Sequence, residues 1–286
     1  MKTGLILEGG AMRGMFTAGV IDVMMENGIE LDGMIGVSAG AAFGCNYKSN
    51  QPGRVIRYNM KYSKHPEFCG LRCFRKTGEF YGSEFCYHKL PEKLDLFDEE
   101  AFRKSPMEFY VTCTDVETGE PVYHKCNTTT DENIDWIRAS ASLPLVSKIV
   151  EVDGKKLLDG GLSDSIPLKY FQSIGYERNI VILTRQKGYT KGKGSSLLLT
   201  KLFLGKYPKL IESMKKRPRV YNETLDYIWQ SETKGDTLVI CPEEPLIIER
   251  IEHDPEKLCK VYEIGRETGM KYLETIKCFL ANAKGL

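Results

Sequence analysis

Short apolar runs alternate with amphipathic stretches along this chain. Gly4–Glu8, Met34–Val37 and Asn179–Thr184 are dominated by apolar residues, the pattern of short strands buried on both faces of a sheet. Met15–Asn27 between the first two has helical spacing, and Gly28 suits the position just past its end. Ala39–Asn46 is small and apolar and predicts a helix straight after the second strand. Gln51–Lys64 predicts another, followed by an irregular, basic, cysteine-bearing stretch to about Tyr87. Met107–Asp115 alternates as a strand, and Glu117–Glu120 turns it back into Val122–Lys125. Ile134–Ser142 predicts a helix that Leu143-Pro144 ends. Lys148–Val152 and Lys155–Leu158 predict a hairpin around Asp153-Gly154, a good type I′ pair. Pro167 suits the first position of a helix. Leu197–Met214 reads as helical with a break near Pro208, Thr237–Cys241 as a last strand and Pro255–Ala283 as a long final helix. No internal repeat and no linker splits the chain.

The second strand–helix junction carries Gly36-Val37-Ser38-Ala39-Gly40, a G-x-S-x-G pentapeptide. A serine on a sharp strand-to-helix turn crowds its neighbours, and glycines two residues either side relieve the clash. Such a turn lifts the hydroxyl clear of the sheet edge. It also places the serine at a helix N-terminus, where developing negative charge is favoured. One strand–helix unit earlier, Gly9-Gly10-Ala11-Met12-Arg13-Gly14 follows the first strand. If the two strands are parallel neighbours, both turns open at the same carboxyl edge of the sheet. The glycine turn then has two readings. It can cradle a dinucleotide pyrophosphate, as in a nucleotide-binding oxidoreductase, although Ala11 stands where that fingerprint wants glycine. Alternatively its amides point at the space beside Ser38 and bind an oxyanion.

A serine nucleophile needs a base. The four histidines are His65, His88, His124 and His253, and none sits in a recognisable catalytic context. Only His253 falls in the order an α/β-hydrolase requires, and Glu252-His253-Asp254-Pro255 reads better as the cap of the final helix. Asp159 is the better candidate: it ends a strand, Gly160-Gly161 lets the backbone turn sharply, and a helix starts soon after.

With Asp159-Gly160-Gly161 added to the two turns, the chain resembles the patatin-like phospholipases in motif order and spacing. Arg138-Ala139-Ser140-Ala141-Ser142-Leu143-Pro144 is similar to that family's segment upstream of its aspartate. The resemblance covers most of Met1–Leu183 and is looser beyond. It implies a three-layer α/β/α fold on a mostly parallel sheet. It also implies a Ser–Asp dyad of Ser38 and Asp159, with the oxyanion hole at Gly9, Gly10, Ala11, Met12 and Arg13. Gly14, Gly36, Gly40, Gly160 and Gly161 are then the motif glycines. Glu8 stands where an aspartate is common, and Ala11 replaces the central glycine, keeping its N–H but constraining its φ. The implied activity is hydrolysis of carboxylic esters of lipids through an acyl-Ser38 intermediate, without metal or cofactor. A lipid-binding protein that keeps the motifs without turnover is the alternative.

Composition narrows the picture. A chain of 286 residues that is 42% hydrophobic can bury one large core, so we expect a single domain over 1–286. Its motif-bearing core would be about 1–185, with an extension over about 186–286. Nine scattered cysteines suggest reduced thiols rather than a disulfide framework. His65, Cys69, Cys73, Cys86 and His88 crowd together, but Cys-x₃-Cys without a second tight pair is poor zinc-ligand spacing. The first residues hold too short an apolar run for a signal peptide, and no stretch approaches a membrane span, so the expectation is cytoplasmic. Net charge is +1, which gives no reason to expect nucleic acid. Lys187–Arg219, however, contains ten basic residues against Glu212 alone, interleaved with leucines. That segment is the candidate for peripheral contact with an anionic membrane. Oligomeric state is open.

Overall fold

The computed structural model describes residues 1–192 and 197–282. Lys193, the end of the Lys187–Ser195 loop, the side chains of Leu197–Leu199 and the predicted helix end at Ala283 lie outside what is described. The strands are β1 (Lys2–Leu7), β2 (Gly33–Val37), β3 (Glu108–Asp115), β4 (Pro121–Lys125), β5 (Val150–Val152), β6 (Lys155–Asp159), β7 (Tyr176–Ile182) and β8 (Thr237–Ile240). The helices are α1 (Gly14–Glu26), α2 (Ala39–Lys48), α3 (Arg54–Tyr62), α4 (Leu71–Thr77), α5 (Glu99–Lys104), α6 (Asp131–Ser140), α7 (Leu168–Ser173), α8 (Leu197–Leu204), α9 (Pro208–Lys234) and α10 (Pro255–Ala281).

The strands form one sheet in the order β5-β6-β3-β2-β1-β7-β8, with β4 also on β3. Pairings β3-β2, β2-β1, β1-β7 and β7-β8 are parallel; β4 and the β5-β6 hairpin are antiparallel. Alternation along β1 assigns the layers. Leu5 and Leu7 join the core under α1, α2 and α10, while Ile6, with Ile35, Val181 and Val239, joins the core under α7 and α9. This is the three-layer α/β/α arrangement. The region after residue 171 is built into the same architecture. β7 and β8 extend the sheet, and α10 packs along α1, with the Tyr262 hydroxyl bonded to buried Asp22 at 2.7 Å.

Most of the predicted elements form. Asp153 (φ 49°) and Gly154 (φ 70°) make the type I′ turn between β5 and β6. Two readings need correction. The stretch to Tyr87 is not wholly irregular: it holds α4 and a wide helical segment, Phe85–Leu94, that carries Pro91. Its basic and proline residues hide the periodicity, and its order comes from aromatic contacts among Phe68, Tyr81 and Phe85. The helical reading that stops at Met214 also stops too soon. After a break at Gly205–Tyr207, α9 runs on through Pro218 to Lys234.

Candidate active site

Ser38 sits between β2 and α2 with φ 56° and ψ −122°. A serine there is held in a region that L-residues rarely occupy, and only a surrounding that fixes it keeps it so. The fixing contacts are visible. The Ser38 amide donates to Ser140 Oγ at 3.0 Å, and Ser140 Oγ donates to the Thr112 carbonyl at 2.7 Å. A methyl at Gly36 would fall 2.5 Å from the Gly40 carbonyl oxygen, and one at Gly40 would fall 2.4 Å from that of Leu7. Glycine is therefore required on both sides of the turn by close packing.

The sheet register brings Asp159 to the serine. β4 pairs with Tyr110–Thr114 of β3, so every other partner of those residues lies on the opposite edge of β3. On that edge β2 ends at Val37, opposite Thr112, and β6 ends at Asp159, opposite Cys113. Two strands running towards each other meet end to end along one rail, and Ser38 and Asp159 are the residues at the junction. The Asp159 N–H donates to the Ser142 carbonyl at 2.8 Å, so the last residue of α6 and the turn after it hold both halves of the pair. Asp159 is 2% exposed. Its Oδ1 accepts the Gly161 N–H at 2.7 Å, while Oδ2 is buried without a hydrogen-bond partner among the described residues. Burial pushes this carboxyl above the ordinary carboxylate range. The Ser38 hydroxyl, the Arg217 guanidinium, the Gly161 N–H and Arg250 act in the opposite direction and favour the charged form.

The glycine turn lies against the serine: a methyl on Gly9 would come within 3.0 Å of Ser38 Cβ. The two turns therefore make one site rather than a serine turn and a separate nucleotide cradle. Residues Ala11–Arg13 form a single helical turn leading into α1, closed by the Arg13 N–H on the Gly10 carbonyl. Among the described residues no hydrogen bond uses the amide N–H of Gly10, Ala11 or Met12. Ala11 has φ 49°, a left-handed conformation that favours glycine. The Arg13 side chain lies among Glu8, Arg185 and Arg250, and its Nε has no partner among the described residues.

From Ser38 a cavity of about 380 Å³ extends under α2, α3 and α6, lined by Phe43, Phe68, Phe80, Leu90, Phe97 and Ile137 among others. That volume suits a lipid chain or a drug-sized ligand. None of the four histidines lines it. The His253 Nδ1–H donates to the Ser63 carbonyl (2.7 Å), and Asp254 caps α10. His65 stacks on Phe85, His88 pairs with Glu92, and His124 stacks on Trp136.

Several site residues carry little signal in the sequence. Ser140 lies in a recognised segment, but nothing in the chain marks its hydroxyl as the brace of Ser38. Arg217 reads as one more charge in the Lys187–Arg219 run. The structure corrects this: Lys215, Lys216 and Arg219 are exposed on α9, whereas Arg217 turns inward and lines the cavity beside Asp159. Arg250 from the loop before α10 reaches the same cavity. Glu8 is tied to the C-terminal half, with Oε1 accepting the Tyr221 hydroxyl at 2.6 Å and Oε2 accepting the Thr184 N–H at 2.6 Å.

A serine on a strained strand-to-helix elbow and a buried aspartate, on strand ends that meet along β3, mark an α/β protein with both side chains at one edge of a mostly parallel sheet. Sequence comparison names the group: the profile of the patatin-like phospholipases matches residues 5–171, and the chain belongs to that family. Residues 207–281 match a second profile, a domain of unknown function (DUF6363). The uncharacterized protein YjjU of Escherichia coli is 28% identical over 96% of this chain and 78% of its own length. Lysophospholipase nte1 of Aspergillus terreus is 24% identical over 96% of this chain, which spans only 18% of that larger protein. The crystal structure of VipD from Legionella pneumophila superposes with a TM-score of 0.49 at 13% identity, covering 96% of this chain and 67% of that one.

Proposed function

We propose that the chain is a serine acyl-lipid hydrolase that cleaves carboxylic esters through an acyl-Ser38 intermediate. Ser38 Oγ attacks the ester carbonyl and its proton passes to Asp159 Oδ2. The oxyanion develops against the Gly10, Ala11 and Met12 amides and the N-terminus of α2. Collapse expels the alcohol, which takes the proton from Asp159. Water then attacks the acyl group, gives a proton to Asp159 and frees Ser38 with release of the acid. A carboxylate is a weak base for a hydroxyl, and general-base help supplies about 10²–10⁴-fold. Most of the barrier reduction is therefore assigned to the oxyanion donors. The raised affinity of buried Asp159 for a proton works in the same direction.

The observation that carries this reading is the meeting of Ser38 with the unpartnered Oδ2 of Asp159 at the head of an apolar cavity. Fluorophosphonate labelling and a panel of p-nitrophenyl and phospholipid esters test it. Ser38→Ala should lose labelling and turnover, and Asp159→Asn should lose turnover by about 10³-fold or more, while His253→Ala keeps most of both. Normal turnover by Ser38→Ala would end the proposal; a dead His253→Ala with an active Asp159→Asn would replace the dyad with a triad. Protein that binds lipid but neither takes the label nor turns over any ester would favour the lipid-binding alternative.

Peripheral contact with an anionic membrane belongs to the same proposal. Leu202 and Phe203 at the end of α8 are 77% and 68% exposed, beside exposed Lys201, Lys206 and Lys209. An apolar tip ringed by lysines suits a lipid interface. No helix among the described residues is long and apolar enough to cross a membrane.

A further inference from the structure

The cavity lining is mostly aromatic and aliphatic, but Arg217 and Arg250 reach it beside Ser38, and cations from two further stretches of chain lie close to them. Arg217 of α9 and Arg250 of the loop before α10 line it. Arg217 Nη2 would lie 3.4 Å from a methyl on Gly161, next to Asp159. Lys191 lies over the Tyr221 ring, with Nζ 3.7 Å from its centre, and is held by two backbone bonds to the Asn222 side chain. Arg13 and Arg185 complete the group, the latter over the Tyr189 ring. None of these five side chains forms an ion pair among the described residues. The Nε atoms of Arg13 and Arg217 are buried with no acceptor among the described residues.

The anions present do not balance them. Glu8 is already engaged by Tyr221 and Thr184 through both oxygens, and Asp159, whose Oδ1 accepts the Gly161 N–H, forms no ion pair with any of the five among the described residues. Arg13, Lys191 and Arg217 each sit where burial and neighbouring cations disfavour their charged forms. Such an arrangement is costly in the empty protein and becomes favourable when an anion enters. The rings beside this group, Tyr221 and Tyr189, are already faced by the protein's own Lys191 and Arg185, so these two offer nothing to a quaternary ammonium group, whereas a terminal phosphate finds several donors.

We propose that Arg217 and Arg250, supported by Lys191, form a subsite for the anionic head group of a single-chain lipid ester, a phosphate monoester on the alcohol being cleaved. The proposal rests on the hydrolase reading for the placement of the ester at Ser38. It makes the C-terminal region the part that selects the substrate: Arg217 and Arg250 both lie inside residues 207–281, outside the stretch matched to the patatin-like phospholipases.

The test is binding, so that it does not depend on turnover. Full-length Ser38→Ala protein is titrated by calorimetry with 1-octanoylglycerol 3-phosphate, 1-octanoylglycerol, 1-octanoylglycerol 3-phosphocholine and inorganic phosphate. The phosphate monoester should bind about tenfold or more tightly than the neutral and choline esters, as expected for charge-assisted bonds in a partly desolvated site. Adding Arg250→Gln, which alters an exposed side chain and spares the fold, should cut that preference about tenfold, and Arg217→Gln at least as much. Lys271→Gln, which removes one charge from a surface pair on α10, should leave it intact. Inorganic phosphate should bind weakly and compete. Equal binding of the three esters, or a preference that survives both arginine variants, would overturn the subsite. Inorganic phosphate binding as tightly as the acylated monoester would overturn it as a head-group site and make it a site for free phosphate. Absence of fluorophosphonate labelling in the wild type would defeat the hydrolase reading alone, because the binding preference is measured without it.

Discussion

Residues 5–171 and residues 207–281 reach the same cavity by different means. The first stretch supplies backbone: two turns with unusual φ, unbonded amides, and an aspartate fixed by strand register. The second supplies side chains: Arg217, Tyr221 and Arg250, placed by a long helix and a loop. Backbone devices need particular residues at fixed spacing, so they leave motifs. A side chain delivered by a helix needs only one position facing inward, and its neighbours are free to be anything soluble. On the proposed reading the reacting groups sit in the first stretch, and the second adds side chains that touch the substrate and act on Asp159.

Arg217→Gln tests that division most sharply. The guanidinium favours the Asp159 carboxylate, so its removal should raise the pKa of Asp159 further and move the acid limb of the kcat/KM profile to higher pH. We expect about tenfold lower kcat/KM near neutral pH, read from the full pH profile. A proportional loss at every pH, with the limb unmoved, would assign Arg217 to binding only.

The surface of the same helix should behave differently. Lys215→Gln, Lys216→Gln and Arg219→Gln together should weaken binding to anionic vesicles severalfold, at about 1 kcal/mol per charge at most. Lys216 and Arg219 already pair with Glu212 and Glu223, which lowers their share. Hydrolysis of a soluble short-chain ester should stay the same, since none of the three lines the cavity. Co-sedimentation in low and high salt separates this from a structural effect.

The two stretches are joined at Asp22, which accepts from Tyr262 of α10 and from the Gly53 N–H. Burial raises its pKa to about 6. The unfolded carboxyl loses its proton first, so this group lowers stability progressively as pH rises from about 4 to 6. In Asp22→Asn that contribution vanishes. The difference in Tm between variant and wild type should therefore grow in the variant's favour from pH 4 to pH 6 and then level off. The smallest expected effect is in the first stretch. Ala11→Gly should relieve the φ of 49° and raise stability by no more than about 1 kcal/mol, seen as a small rise in Tm.

What the sequence made legible follows the same division. Ser38, Asp159 and the glycine turn could be read because crowding and register demand those residues where they stand. The layers were legible from apolar runs such as Met34–Val37. Helix α4 and the Phe85–Leu94 segment were not, because their order comes from tertiary contact rather than from a periodic face; the later part of α9 has such a face, Tyr221, Leu225 and Ile228, but Pro218 ahead of it reads as a stop. Arg217 was hidden for a further reason. In a run of lysines and arginines every residue looks solvated, and only the direction of the helix face distinguishes the one that turns inward.

The single rail on which Ser38 and Asp159 meet frees the rest of the molecule to vary. Their spacing is fixed by where β2 and β6 stop along β3, and by nothing in the 54–97 excursion that carries Phe68, Phe80, Leu90 and Phe97. On the proposed reading, cavity-lining side chains of that excursion can be exchanged to change which acyl chains fit while the two strand ends keep Ser38 and Asp159 in register, provided its core residues and the bond from the Phe80 N–H to the Val146 carbonyl are kept.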